Sequence, residues 1–222
     1  QIMPIEDVAK MIAIHPAQPF LLVDAAQSFG QIPIKNAVPV ADIYAFTGHK
    51  WACGPEGLGG VALSQRVIEE ANPTLVGWKS LQNERSIYSK DPSPYHLNAS
   101  RFEIATSCIP LLAGLRCSLK LLEEEASPEE RLKRIQKLSK NLWEGIKRIE
   151  NLNTILQGPP PAGLVSFSSD NDNSAASLVK FLGKEKLWIR VLEDPAWLRA
   201  CLHVTSEEQE ISNLLKVIKQ FR

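Results

Sequence analysis

Asp42-Ile43-Tyr44-Ala45-Phe46-Thr47-Gly48-His49-Lys50-Trp51, with Gly54-Pro55-Glu56-Gly57-Leu58-Gly59-Gly60 just beyond it, is the stretch on which the reading of this chain turns. The apolar run predicts a strand over about 42–46. The glycines predict a tight turn, and Gly60-Val61-Ala62-Leu63-Ser64 predicts a further strand over about 60–64. A lysine held between a strand end and a rigid glycine loop, beside a histidine, suits an amine that condenses with an aldehyde cofactor. Such an amine must be partly desolvated so that its neutral form is accessible, and its neighbours must fix the bound group. The alternative for Lys50 is a solvated surface charge near a turn. A dinucleotide fingerprint is a poor reading of the glycine loop, because a strand follows it and not the helix N-terminus that receives a pyrophosphate.

Working outward, Phe20-Leu21-Leu22-Val23-Asp24-Ala25-Ala26-Gln27-Ser28 reads as a buried strand over 20–24 that delivers one aspartate to a turn of small residues. Continuous apolar β-formers suit a parallel sheet covered on both faces. In a pyridoxal phosphate site a carboxylate must face the pyridinium nitrogen, keeping it protonated so that the ring acts as an electron sink. Asp24 is the candidate, against the plainer role of a turn residue at a strand end.

Together with Arg101-Phe102-Glu103-Ile104-Ala105-Thr106, these segments resemble the class V aminotransferase family, which includes cysteine desulfurases and related lyases. Thr47-Gly48-His49-Lys50-Trp51, Arg101 to Ser107 and Leu198-Arg199-Ala200-Cys201-Leu202-His203 are most similar to carbon–sulfur lyases of cyanobacterial type that act on cysteine or cystine. The resemblance implies an α/β fold: the C-terminal part of a fold-type I, pyridoxal 5'-phosphate-dependent large domain with a mainly parallel sheet, plus a small α+β C-terminal domain. It implies the boundaries 1–108 for the partial cofactor domain, 109–127 for a connecting helix and 128–222 for the small domain. Lys50 is then the Schiff-base lysine and the base that shuttles the α-proton. Gln27 contacts the cofactor's phenolic oxygen, and His49 and Thr47 are phosphate-side candidates. Thr106 reaches the phosphate of a neighbouring subunit, which implies a homodimer. Family members carry a phosphate-cradling turn and a ring-stacking residue upstream of the matching segments, so the chain is expected to be the C-terminal portion of a larger enzyme or a truncated gene product.

Arg190 and Arg199 form a second constellation, each within an apolar run (Leu187 to Val191 and Trp197 to Leu202) where an unpaired guanidinium is costly. A guanidinium fork matches a carboxylate through two parallel bonds, as an enzyme of amino acids requires. A structural ion pair is the alternative. The resemblance assigns Arg199 to the substrate α-carboxylate and Arg190 to selection of the distal group.

Bulk composition narrows the classes. Apolar residues make up 44% of 222 and charged residues 23%, which suits an ordinary globular core. Lys and Arg number 25, as do Asp and Glu, so no net field recruits nucleic acid or an anionic membrane. The four cysteines, Cys53, Cys108, Cys117 and Cys201, lack metal-ligand spacing. They are expected to be free buried thiols in a reducing, cytoplasmic setting, with no metal site.

Helices are expected at Ile5 to Ile14, from Ser64 as cap to Glu70, and over 109–125. Another is expected from Ser127-Pro128-Glu129-Glu130 to about Glu150, with Arg131, Lys133, Arg134, Lys137 and Lys140 on a solvated face. Residues 77–99 read as a long loop. Strands near 153–157, 164–168, 187–192 and 198–204, a helix over 174–183 and a last helix over 207–220, capped at Thr205 to Glu208, complete the chain.

Desulfuration needs a nucleophilic thiol on a mobile loop. In the similar desulfurases that cysteine precedes the carboxylate arginine, yet 191–197 contains none and Cys201 reads as core. Carbon–sulfur β-elimination from cysteine or cystine is therefore preferred. The alternatives are desulfuration or epimerisation within the family, and a non-catalytic remnant.

Overall fold

The computed structural model describes residues 1–83, 94–170 and 174–221. Its backbone divides into two compact units, Pro4–Glu125 and Ala126–Arg222, the latter including Gln1–Met3.

In the first unit, helix α1 (Ile5–Ala13) starts where the Pro4 carbonyl accepts from Asp7 and Val8. Its apolar stripe Ile5, Val8, Ala9 and Ile12 has helical spacing and packs on Leu21, Val23, Ala25 and Tyr44. Strand β1 (Leu22–Asp24) runs parallel to β2 (Ile43–Thr47), with Leu22 opposite Ile43 and Asp24 opposite Ala45. Strand β3 (Gly59–Leu63) pairs antiparallel to β2. Parallel pairing thus accounts for one of the two ladders of this sheet. The short glycine loop returns the chain directly beside β2, whereas a parallel partner would need a long crossover.

Asp42 ties the starts of these elements together. Its carboxylate accepts from the Leu21 N–H at 2.8 Å and from the Ser64 hydroxyl at 2.9 Å. Ser64 in turn caps helix α2 (Gln65–Glu70), accepting from the Val67 N–H at 3.3 Å. The expectation that the first strand is covered on both faces does not hold here. Side chains alternate across a strand, so α1 covers only the Val23 and Tyr44 face, and Leu22 on the other is 62% exposed.

Within 77–99 the chain is more ordered than a plain loop. Trp78–Ser80 forms a 3-10 turn, the Ser80 hydroxyl donates to the Glu103 carbonyl, and Leu81 bridges to Tyr95. The rest of that expectation, 84–93, lies outside the described residues. Helix α3 (Ile109–Glu125) buries Leu115, Ser118 and Leu122, while Leu112 is exposed.

The second unit opens with α4 (Pro128–Ile146). The Ser127 hydroxyl accepts from the Glu130 N–H at 3.3 Å, and the Glu130 carboxylate accepts from the Ser127 N–H at 3.0 Å, closing a capping box. The helix stops before Glu150. Arg148 and Ile149 donate three residues back, and Asn151 at φ +64° turns the chain into β4 (Leu152–Thr154). Arg131 is buried, not solvated, because its guanidinium folds back to donate to the Ala126 carbonyl; Lys133, Arg134, Lys137 and Lys140 are exposed.

Strand β5 (Leu164–Ser169), helix α5 (Ser174–Lys184), β6 (Arg190–Val191), β7 (Leu198–Cys201) and helix α6 (Glu208–Ile218) follow. The sheet order is β4-β5-β7-β6, antiparallel throughout. Val165, Phe167, Leu198 and Ala200 on one sheet face meet Leu138, Leu142 and Ile146 of α4, Leu178 and Leu182 of α5, and Ile211, Leu214 and Ile218 of α6. The cap of α6 lies slightly later than the expected Thr205 to Glu208. The Glu210 carboxylate accepts from the Glu207 N–H at 2.8 Å, while the Ser206 hydroxyl accepts from the His203 N–H at 3.1 Å. No helix among the described residues is long and apolar enough to cross a membrane.

Candidate functional site

Because β1 and β2 are parallel, Asp24 and Thr47 end them at the same edge of the sheet, which is where ligands bind to open α/β sheets. The ladder continues one step past β1, with the Ala25 N–H donating to the Ala45 carbonyl at 2.7 Å. Asp24 is exposed, and one carboxylate oxygen accepts from the Ala26 N–H at 2.9 Å, a local bond that aims the side chain at the turn. Ser28 and Phe29 both donate back to the Ala25 carbonyl, closing that turn. Below it, burial pushes the Tyr44 phenol above its ordinary value, and the Ser28 hydroxyl at 3.4 Å pulls it back in part.

Lys50 sits in a loop locked at its base. Gly48 donates to the Leu58 carbonyl at 2.9 Å, Gly54 donates to the Gly48 carbonyl at 2.8 Å, and Cys53 donates to the Lys50 carbonyl at 3.1 Å. A Cβ on Gly54 would stand 2.9 Å from the Gly48 oxygen and 2.7 Å from a Leu115 methyl, so α3 props the loop from beneath. Lys50 and His49 are exposed on its surface. The desolvation expected of a Schiff-base lysine is not supplied by the described residues. Thr47 is different: its hydroxyl oxygen is buried and has no hydrogen-bond partner among the described residues.

Two contacts pin the Asp24 turn to the Lys50 loop. The indole N–H of Trp51, itself 5% exposed, donates to the Gln27 side-chain oxygen at 2.9 Å. Gly30, at φ +87°, lies flat against the Trp51–Ala52 peptide, and a Cβ there would be 2.6 Å from the Ala52 nitrogen. Neither Trp51 nor Gly30 stood out as a site residue in the sequence. An aromatic residue directly after Lys50 was the one available signal.

Three expected residues remain, Thr106, Arg190 and Arg199. Thr106 is exposed in the segment before α3 and has no hydrogen-bond partner among the described residues. Arg190 and Arg199 belong to the second unit, where they are direct partners across the β6–β7 pairing. Arg190 is exposed and Arg199 half-buried. Neither has an ion-pair partner among the described residues, and the Arg199 Nε is buried without an acceptor. The segment 192–197 is the hairpin that joins them, closed by Leu192 donating to the Trp197 carbonyl at 2.7 Å.

All four cysteines are free, as expected, but all are exposed, not buried. Cys201 is instructive: Leu198 and Ala200 take the core face of β7, so alternation turns Arg199 and Cys201 to the other side. No cluster of metal-binding residues occurs among the described residues.

Residues 1–214 match the family model described as aminotransferase class-V. The chain is 27% identical to a probable cysteine desulfurase of Pyrococcus abyssi, over 97% of this chain and 55% of that protein. It is 27% identical to the cysteine desulfurase of Haloferax volcanii, over 99% of this chain and 52% of the relative. Among solved structures it is similar to the cystine C-S lyase C-DES in complex with its reaction product cysteine persulfide. That match has a TM-score of 0.90 and 35% identity over 100% of this chain and 58% of the other. A mutant of C-DES with glycine covalently linked to the PLP cofactor gives a TM-score of 0.91 at 34% identity, over 100% of this chain and 57% of that one. The chain spans about half the length of the curated relatives it matches.

Proposed function

We propose, from the premise that this chain belongs to the class-V aminotransferase family, that it carries part of the site of a pyridoxal 5'-phosphate enzyme acting on a small sulfur amino acid. The observation that carries this reading is the pinned pair of loops: Asp24 and Lys50 leave neighbouring parallel strands at one sheet edge, held together through Gln27 and Trp51. The residue types fit the group. A carboxylate suits the pyridinium N–H, an amide N–H the phenolic oxygen, a primary amine the aldehyde, and the unsatisfied Thr47 hydroxyl an added acceptor. His49, beside Lys50, is assigned to the phosphate side with Thr47. When bound, the cofactor supplies an electron sink. With the cofactor bound, Lys50 would be the base that takes the proton from the substrate α-carbon, since a free primary amine beside that carbon can accept it. Arg199 grips the α-carboxylate and Arg190 the distal group. The unpaired state of both guanidiniums and the orphaned Arg199 Nε support a carboxylate ligand there.

The reaction we infer is carbon–sulfur β-elimination from cysteine or cystine. Similarity to a cystine C-S lyase at 35% identity favours it, as does the cysteine-free hairpin before Arg199. Desulfuration is the second reading, favoured by the names of the curated relatives and by the exposure of all four thiols. We assign 1–108 to the cofactor domain, 109–127 to its connecting helix and 128–222 to the small domain. We further assign, on the resemblance to the family, a homodimer with Thr106 directed to a neighbouring subunit's phosphate, and four free thiols support a cytoplasmic setting.

Product analysis of the full-length protein separates the two reactions. Elimination yields pyruvate and ammonia and leaves the cysteines unmodified, so replacing Cys53, Cys108, Cys117 and Cys201 together by serine spares turnover. Alanine as the main product, with a persulfide on any one cysteine by mass spectrometry, would overturn the lyase assignment.

A further inference from the structure

Trp51 is buried directly after an exposed lysine, at a position where a loop residue has no obvious reason to be an indole. An indole N–H can only donate, so the end of the Gln27 amide facing it at 2.9 Å must be the oxygen. This chemistry fixes the amide's orientation. With its oxygen engaged, Gln27 presents its NH2 end away from Trp51, where no acceptor among the described residues takes it. The backbone holds the same geometry from two sides. The Gln31 side chain donates to the Gln27 carbonyl, and Gly30 lets the Trp51 peptide approach to a distance that any side chain would block.

We propose that Trp51 is a positioning residue: it locks the Gln27 amide with its N–H donors outward, so that this site prefers a ligand bearing an anionic or phenolic oxygen opposite Gln27. Without the indole N–H, the amide turns freely, and for part of the time offers its carbonyl oxygen to that ligand oxygen, lone pair against lone pair. The inference rests on the reading of Gln27 as a cofactor contact.

The test measures equilibrium binding to the full-length protein, freed of cofactor, of two probes: pyridoxal phosphate and its 3-deoxy analogue, which lacks the phenolic oxygen. In Trp51→Phe, affinity for pyridoxal phosphate should fall by about threefold to tenfold, the range of one net hydrogen bond, while affinity for the analogue should not change. Gln27→Ala should do the same, and the double variant should lose no more than Gln27→Ala alone. Equal weakening of both probes in Trp51→Phe would mark a structural role and overturn the proposal. So would additive losses in the double variant. A Gln27→Ala protein with unchanged affinity for both probes would instead remove Gln27 from the site, and the reading beneath the proposal with it. Should Trp51→Phe fold poorly, the indole N–H resonance of Trp51 in the unsubstituted protein and in Gln27→Ala decides. An upfield shift on losing Gln27 supports the bond, and an unmoved resonance refutes it.

Discussion

Arg190 and Arg199 stand directly opposite each other across the β6–β7 ladder, two like charges at paired positions with no carboxylate between them among the described residues. Like charges in that relation repel, and the cost is relieved when an anion sits between or above them. Replacing Arg199 by lysine keeps the charge but removes the fork. One charge-assisted hydrogen bond is worth about 1.5–3 kcal/mol, so KM for the amino-acid substrate is expected to rise about tenfold to a hundredfold with cofactor absorbance unaltered. Steady-state kinetics matching the unsubstituted protein would return Arg199 to a structural role.

Lys50 admits a sharper test. In Lys50→Ala of the full-length protein, the visible absorbance of bound cofactor and the turnover should both vanish, while the melting temperature stays close to that of the unsubstituted apoprotein. The residue is exposed and its loop is held by backbone bonds of Gly48, Cys53 and Gly54, not by its own side chain. A variant that kept the absorbance band would exclude Lys50 from the site.

Asp42 should matter for stability without touching the chemistry directly. Asp42→Ala leaves the Leu21 N–H and the Ser64 hydroxyl without their acceptor, at the start of β1 and at the cap of α2. The expected loss is about 1–3 kcal/mol in urea unfolding, the cost of stranding partly buried polar groups. A midpoint unmoved by the substitution would mean that water replaces the carboxylate at no cost.

The capping box of α4 predicts a pH signature. Hydrogen bonds from the Ser127 hydroxyl and backbone hold the Glu130 carboxyl below its ordinary 4.5. A carboxyl lowered in the folded state stabilises above its unfolded value, and that contribution is lost as pH falls through the folded value. The difference in melting temperature between the protein and Glu130→Ala should therefore be largest near neutrality and shrink in acid below 4.5. A gap that widened in acid would contradict the assignment.

How much of this was legible in the sequence depends on the range of the interaction. Ser64 and Ser127 announced their helices because a cap is a contact three residues away. The helix over Ile5 to Ile14 was legible for the same local reason, since its apolar residues recur at helical spacing. Asp24 and Lys50 could be singled out because each needs a strand end, which composition shows. What escaped was set by register. Nothing local to Arg190 says that it faces Arg199, and Cys201 looked like core until the alternation of β7 was anchored on Leu198 and Ala200. The antiparallel return of β3 and the inward turn of Arg131 likewise depend on what the rest of the chain leaves open.

Gly30 carries one more implication. Where two loops meet through side chains, their separation can be tuned by exchanging one residue for a larger or smaller one. Here the meeting surface at Gly30 is peptide on peptide, a bare backbone against the Trp51–Ala52 amide. The spacing between the Asp24 turn and the Lys50 loop is thus gauged by the thickness of a polypeptide chain, a dimension that no point substitution can narrow. Variation in what this sheet edge accepts must come from residues around the gauge, because the gauge itself has a single setting.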